Sequence, residues 1–191
     1  MISEIRKIID KFRPVSQPSL SLMEELFIEE EVKKNDTFIT KDQRINKEYF
    51  LLSGICKSFV VSPEGEEITL AFYTDESILA PHFTRTRSGI SSVNFRALTD
   101  CRLVSMDARA FEQLMIDHVD IRDFGNAVLH NELITKVDKE IGLASLTAKE
   151  RLADFRVRFK SLENYVPHTD IASYLGITNI SLSRLRKDLK E

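Results

Sequence analysis

The chain reads as an α+β protein: a β-rich N-terminal unit closed as a jelly roll or barrel, a long connecting helix, and a C-terminal helix-turn-helix. Three observations predict this. Between Val32 and Met106, short runs rich in Val, Ile, Phe, Tyr and Thr alternate with turn residues, a texture that hides its sheet edges best when the sheet closes or doubles. From Val119 to Leu143 the pattern is helical throughout. The stretch His168 to Leu185, HTDIASYLGITNISLSRL, has the spacing of two short helices crossing at a tight turn.

Taken in order, residues 2–12 place Ile2, Ile5, Ile8, Ile9 and Phe12 on one helical stripe, which Pro14 and Pro18 interrupt. A second short helix is expected from Ser21 to about Glu30, with Glu29, Glu30 and Glu31 as a solvated acidic face. The candidate strands are DTFITKD, EYFLLSG, ICKSFVV, EEITLAFY, SVNFRALT and CRLVSM. Ser53-Gly54 and Ser62-Pro63-Glu64-Gly65 supply hairpin chemistry between consecutive runs. Residues 75–92 are polar and too long for a tight turn, so they read as a functional or mobile loop.

After Met106 the pattern is helical. Asp107 caps a short helix through Met115, and the long helix follows over 119–143. Its stripe is Ile121, Phe124, Val128, Ile134, Val137 and Ile141. The steps do not hold a strict heptad, but a helix of ~25 residues spans about 37 Å, more than one small barrel needs for cover. Self-pairing into a homodimer is the expected use, and packing on its own barrel is the alternative. Ser145-Leu146 reads as a hinge, and Thr147 with Glu150 forms a capping box for a helix carrying Leu152, Phe155 and Phe159. The expected domains are therefore 1–118, 119–144 and 145–191.

In the C-terminal stretch, small Ala172 suits the point where two helices touch, and Gly176 lies where the turn needs a positive φ. Ile171, Leu175, Ile177, Leu182 and Leu185 supply a buried face, and Thr178 is placed to N-cap the second helix. The opposite face offers donors and positive charge from Asn179, Ser181, Arg184, Arg186 and Lys187, types that suit phosphate oxygens and base edges. A plain helical hairpin with a Gly turn would share the apolar pattern but has no need of that outward face.

Net charge is −3, but it is unevenly spread: from Thr147 onward nine Lys/Arg face six Asp/Glu, and eighteen face twenty-four before it. A DNA-binding reading thus rests on placement rather than on total charge. MISEIRKIIDKF lacks the apolar core and cleavage site of a signal peptide, and no run approaches the eighteen apolar residues of a membrane span, so a cytoplasmic protein is expected. Cys56 and Cys101 lack metal-pair spacing and read as reduced core thiols. No Ser-His-Asp, Cys-His or phosphate-loop pattern is present, and His82 is the single His in the β-rich unit, which argues against an enzyme or a metal-dependent oxygenase.

The order of parts, with DIASYLGIT and SLSRLRK (Asp170 to Lys187), GEEITLAFY with DES (Gly65 to Ser77) and FRALTDCRLVSM (Phe95 to Met106), resembles the Crp/Fnr family of bacterial transcription regulators. The resemblance implies a cyclic-nucleotide-binding jelly roll (a double-stranded β-helix), a dimerisation helix and a winged helix. It also implies a homodimer on a pseudo-palindromic double-stranded DNA operator, with RNA polymerase as a partner and a small-molecule effector. Aligned with the family, Asn179 and Arg184 are the base-edge candidates, and Thr169, Thr178, Ser181, Arg186 and Lys187 the phosphate contacts. Family members that bind cyclic AMP hold it with a Gly-Glu and an Arg followed by Ser or Thr. Here those places carry Asp75-Glu76 and Ser91-Ser92, and Arg85 and Arg87 are the nearby arginines. Without the Arg a bidentate grip on a buried phosphate is lost, so Glu76, Arg85, Arg87, Ser91 and Ser92 are expected to line a pocket that does not take cyclic AMP. No cofactor is assigned: an iron–sulfur centre needs four cysteines, and the histidines show no haem-ligand spacing. The chain runs only a few residues past Lys187, so the two-strand wing is expected to be truncated. The competing reading is a ligand- or protein-binding sensor that uses the β-unit without specific DNA binding.

Overall fold

The computed structural model describes residues 1–79, 85–86 and 88–188. Two helices open the chain, α1 (Ile2–Asp10) and α2 (Gln17–Glu24). The strands follow: β1 (Ile28–Val32), β2 (Thr37–Ile39), β3 (Lys47–Ser53), β4 (Cys56–Val61), β5 (Glu67–Tyr73), β6 (Ser77–Leu79), β7 (Asn94–Ala97) and β8 (Cys101–Asp107). The C-terminal helices are α3 (Ala108–Asp117), α4 (Val119–Ser145), α5 (Ala148–Arg158), α6 (His168–Tyr174) and α7 (Asn179–Asp188), with a 3₁₀ turn at Leu162–Asn164.

The strands form two four-stranded sheets, ordered β1-β8-β3-β6 and β2-β7-β4-β5. This is the jelly-roll-like antiparallel unit that the strand runs predict. Tyr49 of β3, Phe38 of β2 and Phe95 of β7 meet between the sheets, with ring centroids 5.9 and 6.1 Å apart. Because side chains alternate along a strand, Phe50 and Leu52 turn the other way, onto a helix-covered outer face with Val104 and Met106. Ile5, Ile8 and Ile9 of α1, Leu20 and Met23 of α2, and Ile121, Phe124 and Val128 of α4 cover that face. β3 is buried on both sides, which explains why EYFLL reads as an unbroken apolar run.

Three expectations need correction. The second helix runs over Gln17–Glu24 rather than 21–30: Ser16 caps it, its Oγ accepting from the Ser19 N–H at 3.3 Å. Pro18 sits in the first turn, where a missing N–H costs nothing. The acidic run is not a helix face either. Ile28–Val32 is a strand paired with β8, and Glu30 accepts from Lys47 Nζ at 2.6 Å and from the Ser105 hydroxyl. The stretch read as a loop opens instead with a strand, β6, paired with β3.

The local start signals are seen directly. Asp107 Oδ1 accepts from Arg109 N at 3.0 Å and Ala110 N at 2.9 Å, capping α3, and Thr147 with Glu150 completes a reciprocal capping box on α5. Cys56 and Cys101 are free, buried thiols, and burial pushes the Cys56 pKa well up. No helix among the described residues is long and apolar enough to cross a membrane.

By its contacts the chain divides into two compact units, one of residues 1–57 and 72–133, the other of residues 58–71 and 134–191. The division differs from the chain-order boundaries expected at 118 and 144. The second unit takes in the tip of the β4–β5 hairpin along with the C-terminal helices, because Ser173 and Lys139 bond to that hairpin. The Ser173 hydroxyl accepts from Thr69 N at 2.7 Å and donates to Glu67 O at 3.3 Å. Lys139 Nζ donates to the Leu70 carbonyl at 2.7 Å.

Candidate nucleic-acid interface

The turn between α6 and α7 is determined by two adjoining local motifs. At the end of α6, Ile177 N bonds to Ala172 O (3.0 Å) and Gly176 N to Ser173 O (3.1 Å), the paired bonds of a Schellman cap. Gly176 has φ +65°, the left-handed conformation that such a cap demands. At the start of α7, Thr178 Oγ1 accepts from Ser181 N at 3.1 Å, capping one of the first-turn donors. One helix therefore stops at Gly176 and the next begins at Asn179 with no slack between them.

Beneath the turn, Leu152, Phe155, Leu162, Ile171, Leu175 and Leu182 are buried, and Ala172 is 2% exposed where α6 and α7 pack. Ile177 and Leu185, expected in the same core, are only half-buried. Arg151 ties the underside, donating to Leu175 O (2.9 Å) and Leu146 O (2.6 Å). Tyr174 stacks among Phe155 and Phe159 at 5.7 and 6.0 Å.

α7 presents Asn179, Arg184 and Lys187 exposed. Thr169 is exposed in the first turn of α6. Ser181 is half-buried, and its hydroxyl shares a 2.9 Å hydrogen bond with that of Thr178. Arg186 is turned away from this face. Its Nε lies 3.3 Å from Glu163 Oε1, its NH1 lies 2.6 Å from His168 Nε2, and its side chain is only 25% exposed. Glu163 also holds Arg156 at 2.7 Å, so Arg186 joins the end of α7 to the turn before α6 rather than standing ready for a phosphate. Two residues that sequence reasoning passed over complete the outer face: Ile180, 67% exposed, and Ser183, also exposed. The available signal was their place off the Leu182–Leu185 stripe of an amphipathic helix.

Of the described residues expected to hold an effector, Arg85 and Ser91 face each other in an isolated antiparallel bridge, while Glu76 is engaged elsewhere. Glu76 lies in a turn at φ +57°, and Lys11 holds its carboxylate at 2.8 Å, lowering its pKa. Ser91 is fully buried, its hydroxyl donating to Val93 O at 2.7 Å, while Ser92 is exposed. Arg85 pairs with buried Glu48 at 2.6 Å. Arg87 lies outside the described residues, as does His82.

The long-helix stripe is split in two. Ile121, Phe124 and Val128 are buried in the first unit's own core, whereas Ile134, Val137 and Ile141 are 46%, 43% and 56% exposed. These last three are spaced by three and then four residues, and His130 and Ala144, also exposed, extend the same rhythm.

Residues 29–118 match the family model of the cyclic nucleotide-binding domain. No curated protein sequence matches the chain significantly. Among solved structures, the chain is similar to FixK2 from Bradyrhizobium japonicum, with 21% identity, TM-score 0.75, and coverage of 86% of this chain and 85% of that one. It is also similar to the c-di-GMP-responsive global regulator CLP from Xanthomonas campestris (15% identity, TM-score 0.72, 92% of each chain). A CooA variant from Carboxydothermus hydrogenoformans is a third (24% identity, TM-score 0.70, 92% of this chain and 81% of that one).

Proposed function

We propose that this chain is a sequence-specific DNA-binding transcriptional regulator of the Crp/Fnr type, acting in the cytoplasm as a homodimer with RNA polymerase as its partner, and that it does not respond to cyclic AMP. The observation that carries the reading is α7: a short helix, capped at both sides of a tight turn, whose outer face carries Asn179, Ile180, Ser183, Arg184 and Lys187 in the open. A helix of this kind places donors and one apolar group against base edges, where Arg pairs with guanine, Asn with adenine, and an aliphatic side chain meets the thymine methyl. Residues 145–191 then act as the helix-turn-helix, with Asn179 and Arg184 on bases and Thr169, Thr178, Ser181 and Lys187 on phosphates. Arg186 supports the helix through Glu163.

The exposed Ile134, Val137 and Ile141 row supplies the self-pairing surface. A two-fold dimer sets two copies of α7 into successive major grooves, about 34 Å apart. The cyclic AMP reading is set aside because Arg85, the described member of the two loop arginines expected near the phosphate position, pairs with Glu48. A cyclic phosphate competing for Arg85 would have to draw it from that buried carboxylate, 2.6 Å away.

Selection of bound duplexes from a random pool tests the proposal. A pseudo-palindrome is expected, and Arg184→Ala should cost about 1–3 kcal/mol and relax one position in each half-site. If no duplex is retained even at low salt, where phosphate contacts are strongest, the sensor without DNA function replaces this reading.

A further inference from the structure

The helices covering the outer face of sheet β1-β8-β3-β6 leave part of it unfilled. Between β3, β6, α3 and α4 lies a cavity of about 230 Å³ whose walls include Phe50, Ile78, Phe111, Met115, Phe124 and Val128. Its polar end is the Glu48–Arg85 pair, with Glu48 6% exposed and the two side chains 2.6 Å apart. Two small residues, Ala108 and Gly125, also line it. A Cβ on Gly125 would fall 2.4 Å from Met115 Sδ, so this methionine lies against the bare backbone of α4. Glycine inside a helix is destabilising relative to alanine, and here it leaves room for a flexible, polarizable wall.

The lining specifies the occupant. Apolar walls take apolar matter, and a cavity of about 150 Å³ lined by Leu, Ile and Phe accommodates benzene. The volume here suits one substituted ring or a fused pair. It falls short of the ~300–1,000 Å³ of drug-sized ligand sites, and so of a nucleotide. Phe50 and Phe124 lie parallel with centroids 6.5 Å apart, and Phe111 meets Phe124 edge-on at 6.4 Å, which offers both ring faces and ring edges to an aromatic guest. Arg85 and Glu48 carry opposite charges 2.6 Å apart, and exposed Glu112 lines the rim. The apolar walls offer a charged group no hydrogen bond, whereas a neutral hydroxyl or N–H at the polar end meets a guanidinium donor and a carboxylate acceptor.

We propose that this cavity is a binding site for a small uncharged aromatic compound carrying one hydroxyl or N–H group, of the size of phenol or indole. The ring lies among Phe50, Phe111 and Phe124, and the polar group meets the Glu48–Arg85 pair. Every lining residue belongs to the first unit, so the site does not depend on whether the chain binds DNA.

The chain carries four methionines and no tryptophan, which gives two direct probes on the full-length protein. With ¹³C-methyl methionine labelling, phenol and indole should shift the Met106 and Met115 methyls saturably while Met1 and Met23 stay put. Indole fluorescence, free of protein tryptophan, should report one site that saturates below about 1 mM. Benzoate, a ring of similar size bearing a charge, should bind at least about tenfold more weakly than phenol. Ala108→Leu and Leu129→Phe, at lining positions on α3 and α4, should each fill the cavity and weaken indole binding at least about tenfold while thermal unfolding confirms a folded protein. Absence of saturable methyl shifts, benzoate binding as tightly as phenol, or undiminished indole binding in a folded filled variant would each overturn the proposal.

Discussion

The ammonium of Lys139 sits 4.0 Å from the centroid of the Tyr174 ring and donates to Leu70 O at 2.7 Å. Burial lowers its pKa from 10.5 to about 8. The folded form thus holds this proton less tightly than the unfolded chain, so folding becomes more favourable as pH rises from about 8 to 10.5, and the penalty is present in full below 8. The difference in unfolding free energy between wild type and Lys139→Met, measured by urea at several pH values, should change across that window. A constant difference would show that Lys139 is solvated.

Asp120 gives a dependence of the same sign in the acid range, here as a gain in stability rather than the relief of a penalty. Its carboxylate accepts from Ser16 N and from Ser19 Oγ, each at 2.8 Å, and the Ser16 backbone bond is the main cause of a pKa lowered to about 2. A depressed carboxylate stabilises the fold above its unfolded pKa near 3.8 and loses that contribution as pH falls toward 2. Asp120→Ala should lower stability by about 1–2 kcal/mol at neutral pH and flatten the acid limb of the pH–stability curve. An unchanged acid limb would remove Asp120 from the account.

Gly54 and Gly65 both adopt positive φ, +106° and +87°, but their surroundings differ. A Cβ on Gly54 would lie 2.5 Å from Asp100 O and 2.9 Å from Cys101 Cα, whereas one on Gly65 would meet open space. Gly54→Ala should therefore cost about 3 kcal/mol through strain plus overlap with backbone, and Gly65→Ala only about 1 kcal/mol. Equal losses in a thermal-unfolding comparison would contradict the packing at the β3–β4 turn.

Val137→Glu or Ile141→Glu should separate the proposed dimer without unfolding the chain, since both positions are exposed in the single chain. Sedimentation at concentrations where the wild type is dimeric should find the variants monomeric, with self-association weakened at least about tenfold because a charge cannot pair across an apolar seam. Dimers of undiminished affinity would place the contact elsewhere.

Features legible in the sequence share a short range. Asp107, Thr147 and Thr178 read as caps because the amides they satisfy lie two or three residues on, and Gly176 reads as a turn because the Schellman bonds close within six residues. The strand runs of β3 to β5 were marked by composition and by the hairpin residues between them. What stayed hidden depends on partners far along the chain. β1 is an acidic segment whose strand character comes from pairing with β8, more than seventy residues later. Ile180 was overlooked as a contact because an apolar side chain is assigned to a core until the core is seen to be filled without it.

By itself the sequence determined the order of the β-rich unit, the long helix and the C-terminal helix pair, the tight turn before α7 and the polar residues of its outer face, because periodicity and capping act over a few residues. Only the tertiary structure decided how the long-helix stripe is shared between a core and an open row, that Arg186 is spent on Glu163, and that Arg85 closes on Glu48 beside an aromatic-lined cavity. Those outcomes depend on which side chains the fold brings within bonding distance, and such distances are set by the packing of the whole unit rather than by spacing along the chain.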